Sequence, residues 1–261
     1  MRGGCRPRRS RDATFASLVA LGVCAACGAC AGWGDDVEPP APRVLAYSRT
    51  LGYRHETIAT AQAALTARLA DDGVVVETTE DPLRFRAEEL ATFDGVVFLY
   101  TTGNDVLDAD GKAAFEAFVR GGGGWAGVHS AADTEFEWPF YAELVVAYFD
   151  SHPVPQPATV HVDDAAHPAT AGAPEPWMAT DEWYNFRANA RDTGGVRVLL
   201  TIDEATYAGG NMGADHPLAW AHERAGGRAF YTALGHVEDR WSDPVFVDHV
   251  AGGVRWTLHR E

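Results

Sequence analysis

Short apolar segments alternate with helical segments along residues 44–258, and no other feature of the sequence constrains the fold as strongly. The apolar run at residues 96–100 has the length and composition of a strand that is covered on both faces. Residues 55–70 instead place apolar side chains at the three- and four-residue spacing of one helix face. This alternation predicts an α/β domain with a mostly parallel sheet and helices on both of its faces.

The boundaries of the elements come from the same pattern. The predicted strands are residues 44–47, 74–76, 96–100, 125–128, 196–202, 218–221 and 228–233. The predicted helices are residues 55–70, 138–148 and 246–258, with one more that Asp108 caps and that ends at residues 121–124; residues 87–93 form a short helix or a turn. Residues 150–190 interrupt the alternation with six prolines and several polar aromatic residues, which predicts a long functional insertion.

The first thirty residues have the organisation of a secretory signal. Residues 2–11 are rich in arginine, residues 13–31 carry no charge, and polar, proline-rich residues follow. A membrane-spanning anchor is the alternative, but the uncharged stretch is mostly Ala, Gly and Cys, which drive insertion weakly. The sequence therefore predicts a secretory or lipoprotein signal over residues 1–30, a linker over 31–42 and one domain over 43–261.

Ala25 and Ala26 stand directly before Cys27, and small residues before a cysteine resemble a bacterial lipoprotein signal. We therefore expect an exported protein, either periplasmic or an envelope lipoprotein. Its contact with the membrane would be made only through an N-terminal lipid anchor.

The positions of the cysteines and of the charges exclude several kinds of function. All four cysteines lie in the first thirty residues, so the domain has no disulfide, zinc–thiolate site or thiol nucleophile. The net charge is −16, and removal of the leader, with five arginines and one aspartate before Cys27, leaves about −20. Such a field repels phosphate backbones and anionic membranes, so we expect no nucleic-acid partner and favour a neutral or cationic small ligand.

Three histidines follow predicted strands at the edge of the sheet where ligands usually bind. In open parallel sheets this edge lies beyond the carboxyl ends of the strands. His55 follows the first strand, His129 the fourth and His236 the last. Each alone has a structural alternative, namely a helix cap, a satisfied turn or a surface loop. Their convergence on one edge predicts a site of proton transfer.

His129 lies at a strand-to-helix turn, called the elbow below, with the sequence Gly127-Val128-His129-Ser130-Ala131. A sharp turn of this kind projects one side chain from the edge of the sheet. The G-x-S-x-G spacing of serine hydrolases is absent, which argues against a serine nucleophile. The glycine also has a structural role, because it allows strand and helix to pack closely.

Asp181 and Glu182 stand directly before Trp183 and Tyr184 in the sequence. Aromatic faces beside carboxylates suit a sugar, because the ring stacks while the acids bond hydroxyls or move protons. A solvated acidic turn with core aromatic residues is the alternative that the sequence leaves open.

Three further histidines each precede a proline. His152 and His216 are candidate site residues or metal ligands, whereas His167 is expected on the surface. No short motif such as H-x-x-x-H supports a metal site. The sequence therefore leaves the metal and the cofactor undetermined.

Eight runs of these residues occur in an order that is characteristic of one known family. They are residues 52–56, 103–107, 122–133, 151–153, 167–170, 180–187, 216–220 and 234–236. Together they resemble the trehalose-utilisation (ThuA-like) family over residues 43–259. That family is similar to class I glutamine amidotransferases, so the resemblance implies a flavodoxin-like, three-layer domain.

The resemblance also implies a carbohydrate ligand, of the trehalose or keto-glycoside type. A cysteine occupies the elbow in the amidotransferases, whereas His129 occupies it here, so glutamine hydrolysis through a thiol is not expected. We predict an exported protein acting in carbohydrate catabolism by histidine and carboxylate acid–base chemistry, of hydrolase, lyase or isomerase type. Two alternatives remain open: a non-catalytic carbohydrate-binding module, and a metal-dependent hydrolase that uses His129, His152, His236 and a carboxylate.

The candidate residues fall into two groups. The predicted catalytic residues are His129, His55, Glu182, Asp133 and His236. The predicted substrate-binding residues are Arg54, Thr102, Asn104, Ser130, Trp183, Tyr184 and Asn185.

Lipid attachment at Cys27 is directly testable. Mass spectrometry of the native N-terminus should show a lipidated Cys27, and the protein should fractionate with membranes. An unmodified N-terminus beyond Cys30 would contradict the lipoprotein assignment but would leave export intact.

Overall fold

A computed structural model describes residues 40–259 of the chain. The predicted signal, its Cys27 and residues 31–39 of the predicted linker lie outside the described residues. The strands are β1 (Arg43–Tyr47), β2 (Val75–Thr79), β3 (Gly95–Leu99), β4 (Gly124–Val128), β5 (Phe149–Ser151), β6 (Gln156–Val162), β7 (Trp177–Asp181), β8 (Asn185–Phe186), β9 (Val196–Ile202), β10 (Pro217–His222) and β11 (Ala229–Thr232). The helices are α1 (Ile58–Asp71), α2 (Ala87–Leu90), α3 (Ala109–Arg120), α4 (Pro139–Val145) and α5 (Pro244–Thr257).

Nine strands form one sheet in the order β2-β1-β3-β4-β11-β10-β9-β6-β7. The neighbours from β2 to β11 pair in parallel, and every pair from β11 to β7 is antiparallel. Among these nine described strands, only β10 and β6 run against the common direction. The mostly parallel sheet predicted from the sequence is therefore confirmed.

Helices cover both faces of the sheet, because side chains alternate between the faces along each strand. Phe98 of β3 stacks on Phe115 of α3 and on Tyr141 of α4, with ring centroids 5.2 and 5.5 Å apart. The strand register places Phe230 of β11 on the opposite face. There its ring packs against α5 at Gly253. The predicted three-layer arrangement is thus confirmed.

Residues 150–190 interrupt the alternation of strands and helices, but they are not simply an insertion appended to the domain. They form β5 to β8, and β6 and β7 complete the edge of the main sheet. In β7 the side chains of Trp177, Ala179 and Asp181 are buried while the intervening ones are exposed. The prolines did not prevent pairing, because Pro157 lies in a part of β6 that pairs with β7 but not with β9.

Helix α1 begins three residues later than the pattern predicted, and the difference matters for the site. Residues 55–57 precede the helix, and the hydroxyl of Thr57 donates to the carbonyl of His236 at 2.7 Å. This contact joins the loop after β1 to the loop after β11. The predicted cap of α3 is confirmed, since the carboxylate of Asp108 accepts from the Gly111 amide at 2.7 Å. Within residues 40–259, no helix is both long and apolar enough to cross a membrane.

Close packing of α5 generates a stability prediction. A Cβ added to Gly252 would lie 2.3 Å from the carbonyl oxygen of Pro168. Gly252→Ala should therefore push the backbone of α5 away from the backbone at Pro168. We expect a net loss of up to about 2 kcal/mol in the free energy of unfolding. The cost of overpacking, about 1–3 kcal/mol, exceeds the gain of about 1 kcal/mol in helix propensity.

Chemical denaturation measures this loss. Gly194→Ala is the control, because a Cβ there meets no heavy atom within 4 Å. An equal midpoint for Gly252→Ala and the wild type would contradict the tight packing of α5.

Candidate functional site

A cavity of about 310 Å³ opens beyond the carboxyl ends of the parallel strands. The loops after β1, β4, β7 and β11 supply most of its wall. Its lining residues are Tyr53, His55, Asp133, Phe149, His152, Glu182, Tyr184 and His236. We call this cavity the pocket. The three histidines expected to converge from separate strands do lie together here: His55 and His236 line the pocket, and fully buried His129 contacts the lining residues.

The elbow holds His129 in a conformation that is uncommon for a non-glycine residue, with φ at 52°. Three hydrogen bonds fix this residue. Its carbonyl accepts from the Tyr231 hydroxyl at 2.8 Å, and its Nδ1 donates to the carbonyl of Ala233 at 2.7 Å. Its Nε2 lies 3.0 Å from the hydroxyl of Tyr184. Strain of this kind persists only where surrounding contacts determine it, and it is typical of functional sites.

A buried carboxylate positions the loop that carries His236. Asp181, which is 0% exposed, accepts from the amides of Gly235 at 2.7 Å and His236 at 2.9 Å. Burial raises the pKa of Asp181, against the opposing influence of nearby His129. Gly235 has φ at 115°, a conformation that L side chains rarely adopt, so glycine is required in this turn.

Glu182 lies at the centre of the cluster. Its Oε2 is 3.1 Å from His236 Nδ1 and 3.5 Å from His129 Nε2, and its Oε1 is 2.9 Å from His152 Nδ1. Burial alone would raise the pKa of Glu182, but the contacts with His129 and His236 outweigh burial and lower it to about 2. The carboxyl group is therefore an anion at neutral pH.

The other titratable groups of the pocket are shifted in different directions. Burial, together with the neighbouring His129 and His236, lowers the pKa of His55 to about 3, so its imidazole is neutral. Burial opposes protonation of His236, but Glu182 outweighs it and raises the pKa of His236. Burial raises the pKa of Asp133, so this half-buried carboxyl takes up a proton more readily than a solvated one. Groups shifted apart in this way are typical of acid–base sites.

The same residues have the composition of a metal-binding group. His55, His129, Glu182 and His236 each offer one ligand atom, and these four atoms lie within 4.8 Å of one another. His152, which the sequence analysis included in the metal alternative, is an exposed neighbour of Glu182.

The predicted substrate-binding residues are only partly brought to the pocket. Tyr184 lines it, and Ser130 lies behind it, with Oγ 3.5 Å from His55 Nδ1. Arg54 is exposed and pairs with Glu80 at 2.7 Å. Buried Thr102 ties the loop after β1 by donating to the carbonyl of Tyr53 at 2.9 Å.

The remaining candidates lie away from the pocket wall. Trp183 is 1% exposed and donates from Nε1 to the carbonyl of Gln156 at 2.8 Å, so its position favours the core alternative. The side chain of Asn104 accepts from the amide of Phe136 at 2.8 Å. Asn185 is buried and donates to the carbonyl of Gly209 at 3.0 Å.

Two other histidines, His167 and His216, are buried outside the pocket wall. His167 was expected on the surface, which is wrong: it is fully buried and caps a 3₁₀ turn by accepting from the amide of Ala169. His216 is also buried outside the pocket wall, between the carboxylate of Glu204 and the carbonyl of Tyr184, at 2.9 and 2.8 Å.

Sequence reasoning did not single out two aromatic residues at the pocket, Tyr53 and Phe149. Tyr53 is 65% exposed at the rim, and its ring meets that of His55 edge-on at 4.8 Å. Phe149 lies against Tyr184, with ring centroids 4.4 Å apart. Tyr53 directly follows a glycine after the first predicted strand, and an aromatic residue in that position was the signal that could have identified it.

Comparison with known families identifies the family of the chain. A family model described as ThuA, trehalose utilisation, matches residues 43–257. The chain belongs to the ThuA family. A carbohydrate-related role follows from this membership. A search of curated proteins finds no significant match.

Solved structures share the fold. A protein described as ThuA-like from Bacteroides uniformis ATCC 8492 is 26% identical, with a TM-score of 0.71, over 84% of this chain and 92% of that one. Another described as ThuA-like, from Parabacteroides merdae ATCC 43184, is 20% identical, with a TM-score of 0.67, over 84% and 90%. A cytoplasmic protein from Salmonella typhimurium LT2 is 15% identical, with a TM-score of 0.51, over 83% and 98%. The predicted fold class is thereby confirmed.

The role of Asp181 can be tested by Asp181→Asn. The amide NH₂ of asparagine cannot accept from the backbone amides of Gly235 and His236, so at least one buried donor loses its partner. We expect the free energy of unfolding to fall by about 1–3 kcal/mol. Thermal and chemical denaturation measure the loss.

Asp150→Asn is the matched control, because Asp150 is exposed. Unfolding curves for Asp181→Asn that coincide with those of the control would show that the carboxylate does not hold the loop.

Proposed function

We propose that this ThuA family member is an enzyme that modifies a sugar of the trehalose or keto-glycoside type by histidine and carboxylate chemistry in the pocket. The observation that carries the proposal is the convergence of a histidine–glutamate cluster and a separate carboxyl, Asp133, on one concave cavity. A pocket with convergent polar groups and perturbed pKa values is the expected form of an active site.

The wall of the pocket suits a sugar. The exposed ring of Tyr53 and the partly buried ring of Phe149 offer apolar faces to the C–H faces of a pyranose. Glu182 and His236 offer groups that accept and donate hydrogen bonds to hydroxyls or to a keto oxygen. The volume of about 310 Å³ is near the lower end of the range for small-molecule sites, which fits one or two sugar rings.

Asp133 is the group best placed for proton transfer. It lies at the end of the 3₁₀ turn that begins at His129 of the elbow, and it lines the same pocket as Glu182 and His236. Burial raises the pKa of its carboxyl, which suits a group that both takes up and releases a proton. The cluster would then bind and polarise the reacting sugar oxygen while Asp133 moves the proton.

The N-terminal sequence supports a location outside the cytoplasm. We extend the proposal to an exported enzyme, periplasmic or anchored to the envelope through Cys27, on the basis of the leader alone. The acidic charge of the domain supports a small carbohydrate as its partner rather than nucleic acid.

Asp133→Asn tests the proposed chemistry. Asparagine keeps the size of the side chain but cannot transfer the proton. We expect turnover of a 3-keto-glycoside, followed by chromatography, to fall roughly 10²–10⁴-fold. Sugar affinity by calorimetry and the melting temperature should change little.

Asp110→Asn, an exposed change on α3, is the control. Normal turnover by folded Asp133→Asn would remove Asp133 from the mechanism. Binding without turnover across a panel of disaccharides and their keto forms would instead identify a non-catalytic binding module.

A further inference from the structure

We propose that His129, His236, Glu182 and His55 form a binding site for one divalent transition-metal ion, with Zn²⁺ as the expected occupant. The inference rests on the positions of the donor atoms. Only the choice of sugar in its last test rests on the proposed function.

Three donor atoms form a nearly equilateral triangle. His236 Nδ1 lies 3.1 Å from Glu182 Oε2, His129 Nε2 lies 3.3 Å from His236 Nδ1, and Glu182 Oε2 lies 3.5 Å from His129 Nε2. A tetrahedral ion bound at about 2.0–2.1 Å places its ligand atoms about 3.3 Å apart. The three distances therefore match the edges of one tetrahedral face, and His55 supplies a fourth donor within 4.8 Å.

The hydrogen bond at His129 Nδ1 fixes which atom is free to bind the ion. The partner is the carbonyl of Ala233, which can only accept, so Nδ1 carries the proton. In the neutral ring the lone pair is then on Nε2, which faces the triangle. A histidine that donates its other ring N–H to a backbone carbonyl is the usual arrangement around a bound metal.

Other contacts hold the remaining ligands. Glu182 Oε1 is occupied by His152 Nδ1 at 2.9 Å, which leaves Oε2 for the inner side. The buried carboxylate of Asp181 holds the backbone amide of His236 at 2.9 Å. Outer partners that orient each ligand are expected of a metal centre.

A plain ion pair between protonated His236 and Glu182 is the competing explanation. It accounts for the two edges that meet at His236 Nδ1, but not for the third edge, between Glu182 Oε2 and His129 Nε2. His129 Nε2 lies 3.0 Å from the Tyr184 hydroxyl, 3.3 Å from His236 Nδ1 and 3.5 Å from Glu182 Oε2. When His129 is neutral, Glu182 Oε2 and His129 Nε2 are both acceptors at this contact of 3.5 Å. A cation between these two acceptors removes their repulsion. Three imidazoles with one carboxylate also favour zinc over magnesium or calcium.

The ion would be open to a ligand in the pocket. His55, Glu182 and His236 line the cavity, so a sugar oxygen can approach from that side. A bound ion would supply Lewis-acid polarisation of that oxygen. Proton transfer would then be left to residues outside the four ligands, such as Asp133.

Metal titration tests the site without reference to activity. The full-length chain, with an affinity tag free of histidine, is stripped by a chelator and then titrated with Zn²⁺ by calorimetry and elemental analysis. Co²⁺ replaces Zn²⁺ for absorption spectroscopy. We expect one ion per chain and visible bands typical of tetrahedral nitrogen and oxygen ligands.

Two ligand variants and one control identify the site. His236→Ala and Glu182→Gln should weaken binding more than about 100-fold, beyond the loss expected for outer partners. His161→Ala should bind as the wild type does, because His161 forms an exposed pair with Glu175 at 2.7 Å away from the cluster. Circular dichroism and melting confirm that the variants are folded.

The outcomes separate the metal site from the enzymatic proposal. Failure of the wild type to bind Zn²⁺ or Co²⁺, or equal binding by the folded ligand variants, would overturn the metal site, whether or not the protein turns over a keto-glycoside. Tight binding that both variants lose would support it. Turnover of a 3-keto-glycoside by the stripped and reloaded protein then tests the proposed function by itself.

Discussion

The candidate site depends on one buried carboxylate, which accepts hydrogen bonds from two backbone amides of another loop. Asp181 ends β7, at the edge of the sheet, and binds the amides of Gly235 and His236 in the loop after β11. A buried anion is costly unless it is hydrogen-bonded, and here main-chain donors satisfy it. The bond places Glu182, the next residue, beside His236.

The antiparallel extension of the sheet explains how a residue from the predicted insertion reaches the parallel half. β6 and β7 turn the chain back so that β7 ends at the same edge as β4 and β11. The parallel half supplies histidines from strand exits, and the extension supplies the carboxylate. Their meeting produces a pocket that neither half contains alone, and Tyr53 at its rim adds an apolar face for a sugar.

The alternation of elements made the fold predictable, and the rule that ligands bind at strand exits made His55, His129 and His236 predictable. The strands formed by residues 150–190 were not predictable, because prolines and polar aromatic residues obscure the alternation of buried and exposed side chains. The sequence predicted that both Trp183 and Tyr184 bind substrate, and it did not separate the two. One residue of displacement along an extended chain turns a side chain to the other face, so Tyr184 lines the pocket while Trp183 is in the core.

A crystal structure of the protein soaked with a 3-keto-disaccharide tests the account most directly. It should show the sugar in the pocket, with a ring against Tyr53, an oxygen within hydrogen-bond reach of Glu182 or His236, and the Asp133 carboxyl at a neighbouring position of the same ring. A sugar bound instead in the separate groove lined by Met178 and Arg240, or none in the pocket at saturating concentration, would contradict the account.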